Sequence, residues 1–281
     1  MNNIPILCSR GKNIPEAWED SLLQLYYNGC DIATQYDQEG DPLSKDCTMI
    51  IEIEDPLSEP IIHKMMVGGY EDLQEYTMEV LDGIKDYLID GKENHWIYSY
   101  HDRLRNYKDS VGSIDQIAIL CEQLAKCGYT RRAQAITWNP FIDMFDEHPP
   151  CLQRLYFRII NDTLNMNLHI RSNDAFRAGF MNLYTFTRLQ EYVAKEVSRI
   201  SEKEIRVGCY RHIADSYHIY GSNIEEFENR FLKCIDIKSN LYRTFEERTV
   251  RYEDVKDIME EAIPIIKEKV RKHAEENSMG E

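Results

Sequence analysis

Long apolar runs are missing from this chain: no uninterrupted stretch approaches the ~20 residues a membrane-spanning helix needs, and no basic segment followed by an apolar one marks a secretory signal. A membrane protein is excluded on that basis and a cytoplasmic location is expected. Glycine and proline are sparse, 13 and 9 in 281 residues, with no repeat and no Pro/Gly/Ser linker. Collagenous and disordered classes drop out, and one domain over residues 1–281 is the economical reading. Basic charge is also short, 33 Lys and Arg against 49 Asp and Glu for a net −16. That field is wrong for a general nucleic-acid surface and leaves room only for a local basic pocket around a small phosphate. The eight cysteines lack close pairing, since even Cys121 and Cys127 stand six apart. A zinc ribbon or redox motif is absent, a reducing compartment fits, and no metal is expected.

The chain does carry clear periodicities. Apolar positions at helical spacing predict helices near 15–28, 70–88, 115–126, 181–197, 225–235 and 253–276, the last highly charged and either restarted or bent at Pro264. Residues 276–281 are expected to fray. Strands are predicted at 48–54, where Ile51 to Glu54 alternate and Asp55-Pro56 follows, and at 133–138, 155–160 and 164–170, with a further strand through His218-Ile219-Tyr220. Helices interleaved with a mostly antiparallel or mixed sheet imply an α+β fold. No Gly-x-Gly-x-x-Gly turn supports a dinucleotide domain. A zinc deaminase is excluded as well, because Pro150-Cys151 runs into Leu152, Gln153 and Arg154 and never completes P-C-x-x-C.

Several residues carry chemistry if the fold gathers them. Cys151 follows two prolines, which restrict the backbone and can fix a thiol at the start of a strand; an inert core cysteine is the plainer alternative. Arg131, Arg132 and Arg171 fall near predicted strand ends in an acidic chain. Together they suit a dianionic phosphate and an ionised thiol, while separate surface ion pairs would also account for them. Ser172 offers a hydroxyl to the same anion. Asp174 and Asn182 bracket a loop and the following helix, and an Asn amide accepts and donates at once, as the O4 and N3–H edge of uracil requires, unless it is a cap or a satisfied core amide. His218 and Tyr220, two apart, share one side of a strand and suit a sugar hydroxyl. Trp96, Tyr98, Tyr100 and His101 form either a stacking wall or core. Glu71, Glu75 and Glu79 recur on successive helical turns, as a solvated acidic face or with one glutamate buried and catalytic.

The runs RRAQAITWNP at 131–140, PPCLQ at 149–153, RSNDAFRAGFMN at 171–182 and HIYGSN at 218–223, in that order, resemble the thymidylate synthase and pyrimidine hydroxymethylase family. The archaeal-type branch is most similar, over roughly residues 50–225. The resemblance implies a thymidylate synthase-like domain with a divergent N-terminal segment and a charged helical tail, assembled as a two-fold homodimer. It implies that Cys151 adds to C6 of a pyrimidine nucleoside monophosphate, making C5 able to attack a one-carbon unit carried by 5,10-methylenetetrahydrofolate or methylenetetrahydromethanopterin. Arg171 and Ser172 match groups binding the phosphate within the subunit, and Arg131 and Arg132 match the pair supplied across the dimer interface. Asn182 matches the residue that reads the base, Asp174 one of the folate and proton-transfer region, and His218 with Tyr220 the pair on the 3′ hydroxyl. Gln153 lies beside the nucleophile on the substrate side.

A carboxylate should manage the proton at C5 through water. Glu75 is the first choice and Glu79 the second, with Trp96 and Tyr98 as a shell that favours desolvation and a raised pKa. Three departures from the family pattern stand out. Leu152 occupies the usual place of a histidine, Arg10 is the only substitute for an N-terminal phosphate loop, and the tail has no small apolar terminus. Three functions stay open: methylation of dUMP, which Asn182 favours; 5-hydroxymethylation of dUMP, dCMP or CMP with water; and a noncatalytic nucleotide-binding dimer.

Overall fold

Alternation in the sequence becomes a seven-stranded mixed sheet in the computed structural model, which describes residues 3–89, 96–109 and 111–279. Its strands are β1 (Ile6–Gly11), β2 (Cys30–Ile32), β3 (Ser44–Ile53), β4 (Gln134–Ile136), β5 (Leu152–Ile160), β6 (Thr163–Asp174) and β7 (Arg206–Ile219). They lie in the order β1-β3-β7-β6-β5-β4, with β2 also paired to β3. The β1/β3 and β6/β7 pairs are parallel and the others antiparallel. Leu164, Met166, Leu168 and Ile170 are buried on one face of β6, while Asn165, Asn167 and His169 take the other, as period-two alternation requires.

Helices α1 (Ile14–Asn28) and α5 (Gly179–Ser201) lie against the sheet. Helices α2 (Tyr70–Asp82) and α4 (Gln116–Lys126) pack on α5, the short α3 (Tyr100–Arg105) sits beside α2 and α4, and α6 (Tyr252–Met279) packs on α2. Trp18 is central: fully buried on α1, it donates from Nε1 to the carbonyl of Ala175 at 2.9 Å and so ties the helix to the turn between β6 and α5.

Three expectations need correction. The helix beginning at Tyr70 stops at Asp82, not at 88, because Gly83 takes a left-handed φ of +65° that ends it; Asp86–Leu88 form a separate turn. Of the two alternatives at Pro264 the restart drops out, because the proline lies inside a continuous α6. Strand β4 is three residues rather than six, whereas β5 and β6 run further than their apolar cores, so that Arg171, Ser172 and Asp174 fall within β6. Among the tail residues expected to fray, Gly280 and Glu281 lie outside the described residues. No helix among the described residues is long and apolar enough to cross a membrane.

Candidate active site

Cys151 immediately precedes β5, and the backbone around it is held from four sides. Its carbonyl accepts the amide of Arg171 at 2.8 Å, and the amide of Leu152 donates to the Tyr100 hydroxyl at 3.2 Å. The side chain of Arg171 donates from Nε to Pro150 O at 3.0 Å and from Nη2 to Pro149 O at 2.6 Å. Between Leu152 and Arg154 the register with β6 slips by one, which leaves Gln153 as a bulge with Nε2 donating to Pro150 O at 2.8 Å. Gln153 therefore shapes the loop rather than lining the cavity. The thiol is half-buried on a cavity of about 350 Å³. Burial pushes its pKa up, and the Arg171 guanidinium partly draws it back.

Asn182, in the first turns of α5, lines the same cavity as the thiol. Tyr76 of α2 donates its hydroxyl to Asn182 Oδ1 at 2.7 Å, while Asn182 Nδ2 donates to Asn173 Oδ1 at 3.3 Å. Asn173 Oδ1 also lies 2.9 Å from His212 Nε2, and His212 Nδ1 lies 2.9 Å from the Tyr210 hydroxyl. Burial holds His212 neutral, its pKa down to about 3, and drives the Tyr76 phenol well above its usual range.

The sugar-side candidates are brought together too. On β7 the register against β3 slips between Ala214 and Tyr217, so Tyr217 and Ile219 turn into the core and His218 faces the cavity. Ser216 donates to Asp46 Oδ2 at 2.7 Å and lies 3.1 Å from His218 Nδ1. That arrangement makes Nδ1 the donor and Nε2 the acceptor, and Nε2 is buried without a protein partner among the described residues. Burial lowers the His218 pKa to about 4. The Tyr220 ring meets His218 edge-on with centroids 4.6 Å apart.

Ser172 and Asp174 line the same cavity. Asp174 also caps the turn into α5, with Oδ1 accepting the amides of Phe176 at 3.1 Å and Arg177 at 2.8 Å; burial raises its pKa against those bonds. Arg131 and Arg132 are exposed just ahead of β4 and do not line the cavity of their own chain. Arg10 on β1 is paired with Glu52 and Glu54 at 3.2 and 2.8 Å, so it does not serve this cavity.

A second cavity of about 440 Å³ shares Tyr76 and Tyr100 with the first, and Trp96, Tyr98 and Glu79 line it. The two glutamates of α2 face different cavities. Glu75 points instead to a groove against α6, where it pairs with Lys85 at 2.9 Å and Lys269 at 3.3 Å. Burial alone would raise its carboxyl, but hydrogen bonds and charge from the two lysines bring it below the usual range. Among the described residues Glu79 pairs only with Lys85, at 3.0 Å, and burial raises its pKa. The aromatic patch divides: Trp96, Tyr98 and Tyr100 line the second cavity, while His101 turns to Asp86 at 2.6 Å.

Sequence reasoning missed Tyr76, Asn173, His212 and Arg177. Tyr76 falls in line with Leu73 and Val80 on α2, as a core position would, and its polar tip is the available signal. Arg177 lines the cavity while bound to Asn223 at 3.0 Å and Glu226 at 2.6 Å.

A family model described as thymidylate synthase matches residues 65–267. A protein of Methanocaldococcus jannaschii provisionally named thymidylate synthase is 31% identical over 236 residues, covering 82% of this chain and 98% of that protein. A counterpart in Methanococcoides burtonii, named in the same way, is 30% identical over 219 residues, covering 78% and 92%. The solved structure of thermostable thymidylate synthase A from Bacillus subtilis shares the fold, with a TM-score of 0.61, 14% identity and coverage of 86% of this chain and 96% of that one.

Proposed function

The chain belongs to the thymidylate synthase family, in its archaeal-type branch, and from that premise we propose that it methylates dUMP at C5 with a methylene-tetrahydropterin as donor. One observation carries the reading: Cys151, Asn182, His218 and Tyr220 face one cavity, which adjoins a second walled by Trp96 and Tyr98. The first suits a pyrimidine nucleotide. The second, with planar rings and a half-buried carboxylate, fits the pterin of methylenetetrahydrofolate or methylenetetrahydromethanopterin, which when bound supplies the one-carbon unit and, for methylation, the hydride.

In this reading the Cys151 thiolate adds to C6 of the base and pushes the electron pair onto C5 and the O4 side, so that C5 becomes the carbon nucleophile. Asn182 holds the O4 and N3–H edge, and His218 Nε2 accepts from the sugar 3′ hydroxyl beside Tyr220. Arg171 and Ser172 take the phosphate within the subunit. Arg131 and Arg132 of a second copy complete that site in a homodimer. Glu79, with its raised pKa, takes the C5 proton through water; the electron pair so freed would release the carrier from the transferred carbon, and the sulfur would leave C6 when a hydride, or water in the second reading below, adds to that carbon. Asp174 caps the turn into the helix that presents Asn182 and lines the nucleotide cavity.

A second reading, 5-hydroxymethylation with water, is favoured by the two carboxylates, Glu79 and Asp146, that line the aromatic cavity. Mass analysis of products from dUMP, dCMP, UMP and CMP, each 5-tritiated and incubated with the methylene donor, tests both. The proposal expects tritium release from dUMP with dTMP formed. A hydroxymethylated product favours the second reading, and nucleotide binding with no tritium release indicates a noncatalytic dimer.

A further inference from the structure

The side-chain network behind Asn182 has a single hydrogen-bonding polarity. Asn173 Nδ2 donates to the backbone carbonyl of Asp174 at 2.9 Å, and a carbonyl can only accept, so Asn173 Oδ1 must face the other way. That oxygen takes Nε2–H of His212 at 2.9 Å and Nδ2–H of Asn182 at 3.3 Å. With its nitrogen committed to Asn173, Asn182 turns Oδ1 to Tyr76, whose hydroxyl donates at 2.7 Å. The Tyr76 phenol stays protonated and His212 stays neutral at physiological pH, so neither end of the network reverses. Asn182 is left with one N–H and one lone pair for the cavity, in a fixed order.

We infer that Tyr76 and Asn173, the latter backed by His212, are specificity-determining positioning residues that lock the Asn182 amide and so make the pocket accept uracil and reject cytosine. Uracil presents an exocyclic acceptor beside a ring donor, and cytosine presents an exocyclic donor beside a ring acceptor. A free amide flips to suit either edge. A locked one sets donor against donor and acceptor against acceptor for the wrong base and leaves buried polar groups unpaired. The inference rests on the proposed nucleotide site and adds the residues that enforce base choice. With Leu152 buried beside Cys151, that position supplies no polar side chain to the task.

Calorimetric titration of the full chain with dUMP and with dCMP tests it, on wild type, Tyr76→Phe and Asn173→Ala, with thermal melts to confirm folding. Wild type should favour dUMP by at least roughly 100-fold, and each variant should narrow that ratio by about tenfold, chiefly by tighter dCMP binding. Loss of packing would weaken both nucleotides in parallel and leave the ratio alone. An unchanged ratio in whichever variants fold overturns the lock and leaves the nucleotide site standing. Wild type that binds neither nucleotide overturns the nucleotide site, and the lock with it.

Discussion

Arg171 donates from Nε to the carbonyl of Pro150 at 3.0 Å, so its guanidinium is fixed to the chain one residue ahead of the thiol. Position and charge come from the same side chain, because the cation that holds the Pro149-Pro150 loop also opposes the effect of burial on Cys151.

Replacing Arg171 with Gln removes the charge while leaving an amide to reach the loop. The Cys151 thiol should then titrate higher and alkylate with iodoacetamide more slowly at pH 8, by roughly 3–10-fold, since thiolate rather than thiol is the reactive form. Mass spectrometry of the Cys151 peptide over time reads the rate. An unchanged rate would show that the guanidinium does not act on the sulfur.

Glu79 and Glu75 stand one helical turn apart on α2 and share Lys85, yet they face different cavities. Glu79→Gln should lower tritium release from 5-tritiated dUMP by about 10²–10⁴-fold, the range for losing a positioned acid or base, with nucleotide binding retained. Glu75→Gln should stay within about twofold of wild type, as expected for a partly exposed ion pair. The reverse ranking would return the proton-transfer role to Glu75.

The distribution of what was legible follows from the range of each interaction. Strand β6 could be read from Leu164 to Ile170 because alternation is local, and Cys151, Asn182 and His218 were marked by ordered motifs around them. The facing of α2 could not be read. Leu73, Tyr76 and Val80 form a stripe consistent with a core helix, and only the packing of α2 against α5 turns Tyr76 toward Asn182 and Glu75 toward Lys269. Strand β1 was missed because its buried positions are Ser9 and Gly11 rather than large apolar residues. The Asp46–Ser216–His218 relay joins residues 170 positions apart and depends on a bulge, for which the sequence carries no pattern.

Acid should destabilise the fold well above the carboxylate range. His212 and His218 have folded pKa values of about 3 and about 4, against an ordinary 6.5, and burial lowers His63 in the same sense. Below about pH 6.5 the unfolded chain takes up protons that the folded chain refuses, so stability falls as pH drops toward the folded values, by at most about 1.4 kcal/mol per pH unit for each group. Urea midpoints should be lower at pH 5.0 than at 7.5, and His212→Gln should make the difference smaller. Equal wild-type midpoints at the two pH values would contradict the buried neutral state.

Arg131 and Arg132 sit exposed ahead of β4, apart from the cavity that holds Cys151 in their own chain. If a second copy supplies them, each phosphate site is shared between two chains. Cys151→Ala and the double variant Arg131→Ala/Arg132→Ala should each be inactive, the first for want of a nucleophile and the second for want of a complete phosphate cradle. Mixed after unfolding and refolding together, they form heterodimers in which one site combines an intact cysteine with intact arginines from its neighbour. Random reassortment places such a site in half of the dimers, so activity should return to roughly a quarter of wild type. If the arginines act within their own chain, no site in the heterodimer is whole. The mixture would then stay as inactive as its components, and the phosphate would have to be held by Arg171 and Ser172 with help from Arg177.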